Sequence, residues 1–198
     1  MKGNEKKQQE NLCITAGSEE NLSGKETEQS ICRTLTEMEI PFQIIHHPPV
    51  YTSADCTEIE KTLQTSGCKN LFLRNSSGAS WYLLLLPPEE KADLKTIAAQ
   101  IGEKRLSFAS AEEMKAILHT EPGAASILCL CYETTENLHI LIHRKILETE
   151  TIGCHPCVNT ASLKITVRDL TEKLLEPAPV QHSGIPFFEY RKKSQQLI

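Results

Sequence analysis

The sequence predicts an α/β domain, a single compact unit whose mixed, largely antiparallel central sheet is flanked by helices. Three observations carry this expectation. Two apolar runs at 68–74 and 80–86 flank the turn-forming stretch 75–79 and read as a hairpin. "ASILCLCY" (125–132) and "LHILIH" (138–143) flank the polar "ETTEN" and read as a second one. Around them, apolar residues recur at helical spacing. Hairpins with helices between them favour antiparallel pairing over repeated parallel crossovers.

Taken in order, residues 1–26 are polar and low in aromatics, an expected mobile extension. From Thr27, the positions Ile31, Leu35 and Met38 share one helical face. Phe42 to His46 form a short strand that Pro48 and Pro49 stop. Thr52 and Asp55 make a capping box for a helix carrying Ile59 and Leu63, closed by Gly67. After the first hairpin, Leu94, Ile97, Ala98 and Ile101 define a helix ended by Gly102. Ser110 and Glu113 open another, bearing Met114, Ile117 and Leu118. Beyond the second hairpin, "NTASLKI" (159–165) reads as a strand, and Thr166 with Asp169 caps a helix with Leu170, Leu174 and Leu175. The Pro-containing polar tail is an expected appendage. The domain therefore spans 27–176, with 1–26 and 177–198 outside it.

Composition narrows the function. The chain has 198 residues, 39% hydrophobic and 24% charged, enough for one domain with a sizeable core. No apolar run approaches the roughly 20 residues of a membrane helix, and the N-terminus lacks the apolar stretch of a signal peptide. A cytoplasmic protein with no membrane partner is expected. Eight cysteines in such a chain then read as reduced thiols packing as small hydrophobes. The net charge of −5 argues against coating nucleic acid, but is compatible with gripping the end of an RNA. No dinucleotide fingerprint, P-loop or nucleophile elbow occurs, and no cofactor is implied.

Four groups could carry chemistry. Lys69 stands at the mouth of an apolar strand, where it either snorkels to solvent or clamps an anion. Asn70 beside it points to the opposite face of the strand. His46 and His47 are adjacent in a strand and face opposite ways, so they do not share a metal. Gly123, Ala124, Ala125 and Ser126 form a small-residue loop whose amides a ligand could approach closely. Finally, Cys154-His155-Pro156-Cys157 could be half a zinc site or a redox dithiol. The other close pair, Cys129 and Cys131, has one spacer rather than two, so a matched zinc set is missing and no metal is expected. His155 reads better as a pocket-lining hydrogen-bonding group, with Asn159 and Thr160 nearby. Paired carboxylates in an apolar setting are also missing. A hydrolase built on this chain would position water rather than form a covalent intermediate.

Together, "HHPPVYTSAD", "GCKNLFLR", "LSFAS", "PGAAS" and "HPCVNTASLKI" occur in the order expected for the free-standing prolyl-tRNA editing proteins. These resemble the editing insertion of bacterial prolyl-tRNA synthetase and share a YbaK-like fold. The resemblance covers about residues 30–175. It implies a pocket for the 3′ end of aminoacyl-tRNA and hydrolysis of mischarged tRNA, typically removing alanine from tRNA(Pro). Its implied partners are the tRNA(Pro) acceptor end and prolyl-tRNA synthetase. Lys69 matches the family's functional lysine, His155 the histidine of its "H-P" segment, and Gly123 the start of its substrate loop. That loop usually runs G-x-x-x-P; here Ile127 stands in place of the proline. On this reading Lys69 neutralises the terminal phosphate, the amides of 123–126 steady an oxyanion, and His155 orients the aminoacyl group or ribose. Ile45, Tyr51 and Phe72 are candidate pocket walls, and Asn159 a candidate contact. The alternative is a non-catalytic sensor of aminoacyl-tRNA or amino acid on the same fold.

Overall fold

The computed structural model describes residues 13–14, 22–50, 53–131, 138–175 and 187–190. In chain order these form β1 (Cys13–Ile14), α1 (Leu22–Glu37), β2 (Gln43–His46), α2 (Ser53–Leu63), β3 (Lys69–Asn75) and β4 (Trp81–Leu86). There follow α3 (Leu94–Gln100), β5 (Leu106–Phe108), α4 (Ala111–Leu118) and a 3-10 helix (Ile127–Cys131). The chain closes with β6 (Leu138–His143), α5 (Arg144–Leu147), β7 (Thr151–Cys154), β8 (Ala161–Thr166), α6 (Val167–Asp169) with a π-helical turn (Leu170–Leu175), and β9 (Phe187–Tyr190).

The strands make two sheets, ordered β1-β2-β8-β7 and β5-β3-β4-β6-β9. Alternation along β3 and β4 explains how the second sheet serves two cores. Phe72, Leu83 and Leu85 face the main core, with Ile44, Leu163 and Ile165 of the first sheet and Ile31 and Leu35 of α1. Leu73, Leu84 and Leu86 face the other way, against Ile97 and Ala98 of α3. The first hairpin forms as expected, with Lys69 opposite Leu86 and Arg74 opposite Trp81. Asn75 closes its turn by accepting the Ala79 and Ser80 N–H groups at 3.2 and 3.3 Å. Gly78 there has φ of +70°. The capping box at Ser110 and Glu113 is complete, and Thr166 accepts the Asp169 N–H.

The second hairpin does not form. The segment expected as its first strand is the 3-10 helix, and β6 pairs in parallel with β4. Ser126 explains the change locally. Its hydroxyl accepts the Leu128 N–H at 3.2 Å and its carbonyl the Cys129 N–H at 3.1 Å, which turns the backbone away from extension. Ile127, Leu128, Cys129 and Leu130 are all buried, so their run of apolar residues has no period to separate strand from helix.

Other boundaries also shift. α1 begins at Leu22 rather than Thr27, β1 pairs with β2, and β9 pairs with β6. α2 ends at Leu63, before Gly67, with Gln64 at φ +49°. Thr52, half of the expected capping box, lies outside the described residues. β5 and β7 are short strands that the sequence pattern did not reveal. Among the described residues, no helix is long and apolar enough to cross a membrane.

Candidate functional site

Lys69 begins β3, and its half-buried ammonium donates to the Pro88 carbonyl at 2.8 Å and to the Glu90 carbonyl. An ammonium has three donors, so one N–H is left over from these two bonds. The charge is therefore met by backbone dipoles of the loop after β4. The Glu90 carboxylate is used elsewhere, on Lys145 of α5 at 2.8 Å. Glu60 of α2 lies over Gly67, and burial together with Glu89 raises its carboxyl above the ordinary range. Asn70, on the Phe72 face of β3, sends its Oδ1 into a buried position with no hydrogen-bond partner.

His155 follows β7 in the turn before β8. Its Nδ1–H donates to the Ala161 carbonyl at 2.9 Å, which fixes the tautomer and leaves Nε2 as a lone-pair acceptor. Burial pushes this imidazole below its usual pKa, and His47 lowers it further against the opposing pull of the Ala161 carbonyl. It is neutral at pH 7. The His47 ring meets it edge-on, with centroids 6.2 Å apart and planes at 62°.

His47 is itself held at both nitrogens. Nδ1–H donates to the Pro48 carbonyl at 2.9 Å, so Nε2 accepts from the Ser162 hydroxyl, also at 2.9 Å. Backbone bonds from His47 N–H to Thr160 and from Val50 N–H to Asn159 tie this loop to the turn at 155–160. His46 faces away from the pair, its Nε2 2.7 Å from Glu28 of α1.

The loop at 120–126 joins the same region. The buried Thr120 hydroxyl donates to the Cys157 carbonyl at 2.9 Å and reaches the Ala124 carbonyl at 3.3 Å. Gly123 is exposed with φ of +93°, a left-handed conformation that glycine adopts without strain. Ala125 is half-buried. Ala124 and Ser126 support the loop from within. The Ala124 N–H is taken by Glu121 at 3.0 Å, and the fully buried Ser126 uses its hydroxyl to cap the 3-10 helix. Ile127, where the family pattern has proline, is the first residue of that helix, a position proline also tolerates.

The remaining expected residues fall in different places. Phe72 is packed in the main core. Ile45 is half-buried on β2, opposite Ser162. Asn159 contributes its carbonyl to Val50. Tyr51 lies outside the described residues. A cavity of about 430 Å³ against α2 and β7 is lined by Glu60, Gln64, Thr65 and Thr151, and by none of the site residues expected from the sequence. Thr120 and Ser162 escaped sequence reasoning, and His47 was named without its partner, because these partners lie 37 and 115 residues apart.

The thiols have little chemistry to offer. Cys154 and Cys157 are buried, and desolvation raises both well above the ordinary thiol range; Cys131 is pushed up to about 12. A thiol kept protonated is neither a good ligand nor a good nucleophile. Among the described residues, no cluster of three or more His, Cys, Asp or Glu is placed to hold a metal.

Comparison with known proteins adds a family. The profile of the aminoacyl-tRNA editing domain matches residues 47–173. The prolyl-tRNA editing protein ProX of Acetoanaerobium sticklandii is 30% identical over 151 residues, covering 76% of this chain and 92% of the relative. Prolyl-tRNA synthetase associated domain-containing protein 1 of Bos taurus is 24% identical over 152 residues, 75% of this chain and 88% of its own length. The solved structure of a candidate trans-editing enzyme for prolyl-tRNA synthetase superposes with a TM-score of 0.62 over 84% of this chain and 97% of the other. At 14% identity, that last likeness is one of fold.

Proposed function

The chain belongs to the aminoacyl-tRNA editing domain family, and from that premise we propose that it is a trans-acting hydrolase removing alanine from mischarged tRNA(Pro). The observation that carries the chemistry is the neutral His155 imidazole, its tautomer fixed by Ala161, in a turn tied through Thr120 to the Gly123 loop. A lone pair at Nε2 can hold the attacking water or the ribose hydroxyl beside the ester. Attack on the ester carbonyl gives a tetrahedral oxyanion. Its collapse releases alanine, and the departing ribose oxygen takes up the proton.

Lys69 has one N–H beyond the two given to Pro88 and Glu90, and this donor serves a phosphate or ester oxygen of the acceptor end. Of the loop amides, the exposed Gly123 and the half-buried Ala125 suit the oxyanion better than Ala124, whose N–H is occupied. Fixing the ester against these groups supplies the orientation that an already activated bond needs. Selectivity follows from size. A synthetase pocket shaped for proline discriminates by only about 1–3 kcal/mol for each missing methylene, and a second pocket too small for proline supplies the rest.

Deacylation of Ala-, Ser-, Cys- and Pro-charged tRNA(Pro) tests the reading. Rapid loss of alanine with proline retained is the expected result. Binding of Ala-tRNA(Pro) without turnover at high protein concentration would turn the reading toward a sensor.

A further inference from the structure

We propose that His47 is a positioning residue: locked between Ser162 and Pro48, it holds the His155 ring in place and sets the pH below which editing fails. The inference rests on the reading of His155 given above.

Three features support it. First, both nitrogens of His47 are engaged, so its ring cannot flip without breaking a bond to Ser162 or Pro48. Ser162 is buried on β8, one residue beyond Ala161, whose carbonyl holds His155. The two imidazoles are thus fixed from adjacent residues of one strand. Second, the edge-on contact at 6.2 Å supplies a wall against which the His155 ring keeps its orientation. Third, a charge on the His47 ring, edge-on to His155, opposes a proton on His155. Burial lowers both, and a charge on His47 keeps His155 neutral to lower pH than burial alone would.

Other ionisable groups lie on the elements that carry the pair or pack against them. His46 acts on His47 and is paired with Glu28. Cys154 and Cys157 flank His155 as protonated thiols. β8 adds Lys164, and α2, packed across β2 and β8, brings Glu60 together with the mutually paired Glu58 and Lys61.

The test is an NMR titration of the His155 imidazole in the full chain, run beside the pH profile of kcat/KM on Ala-tRNA(Pro). His47→Gln keeps an acceptor for Ser162 and removes the charge, so the His155 titration and the acidic limb should both move to higher pH. His47→Arg, with a permanent charge, should move both to lower pH. A merely structural role would not shift the two variants in opposite directions. An unmoved His155 titration in both variants overturns the proposal. If the titration moves but the acidic limb does not, the coupling of the rings stands and the catalytic reading of His155 fails. Should the variants not fold, the wild-type chain still decides. Its His155 resonance should also shift through the pH range in which His47 titrates, and a resonance that follows only its own proton overturns the proposal.

Discussion

A single ammonium illustrates how residue identity becomes chemistry. Lys69 is legible in sequence as a cation at the mouth of an apolar strand, but its partners are not, because Pro88 and Glu90 are 19 and 21 residues away and offer backbone oxygens. Removing the ammonium leaves two carbonyls facing each other and takes away the free donor. Lys69→Ala should therefore lower deacylation of Ala-tRNA(Pro) by about 100-fold or more, the range seen when one transition-state donor is lost. Full activity with a native circular-dichroism spectrum would refute the role. His155 yields a prediction of pH. Its folded pKa is depressed by burial, so the neutral form persists below the ordinary imidazole range and is lost as pH falls through the depressed value. Deacylation should be flat above about pH 6.5 and fall below it. Stability runs the same way. The unfolded chain binds protons at His47 and His155 before the folded one does, so urea midpoints should drop as pH falls through the interval below about 6.5.

At the scale of elements, local signals and long-range signals part company. The first hairpin, α3 and the Ser110 capping box were all readable, because turn, cap and period lie within a few residues of one another. The 3-10 helix was not, since four consecutive buried residues carry no period and Ser126 diverts the backbone. The site divides likewise. Lys69, Gly123 and His155 announce themselves through motif resemblance, whereas Thr120, Ser162 and the ring contact of His47 exist only once distant loops meet. Gly67 tests that meeting. A Cβ there would strike Glu60 Oε1 and lie 2.6 Å from Pro88 Cγ. The Glu60 side chain can swing aside, but the Pro88 ring belongs to the loop that anchors Lys69. Gly67→Ala should thus cost about 1–3 kcal/mol in urea unfolding, as overpacking does, and depress deacylation as well. Loss of stability with undiminished activity would show that the loop is not coupled to the site. Ser110→Ala is the contrasting case. It should cost about 1 kcal/mol through the lost cap and leave deacylation unchanged.

Over the whole molecule, charge decides how an RNA can be held. The chain carries a net −5, and among the described residues several surface cations are matched by carboxylates. Arg74 meets Glu113, Arg144 meets Glu148, Arg168 meets Glu172 and Lys173 meets Asp169. An RNA lying along those paired positions would meet carboxylates as well as cations. On the proposed reading, recognition concentrates on the terminal nucleotides, where a small number of contacts suffices because the ester is the target. The consequence is a shallow salt dependence. Each neutralised single-strand phosphate contributes a slope of about −0.7 to log K against log salt, so end-recognition through one or two phosphates predicts a slope near −1. Fluorescence anisotropy with charged tRNA(Pro) and with a minihelix of its acceptor stem measures this directly. The two ligands should bind within a few-fold of each other, and Lys69→Ala should flatten the slope by about one phosphate. A steep slope, together with much weaker binding of the minihelix, would place the contacts along the body of the tRNA and remove Lys69 from its role as the anchor of the acceptor end.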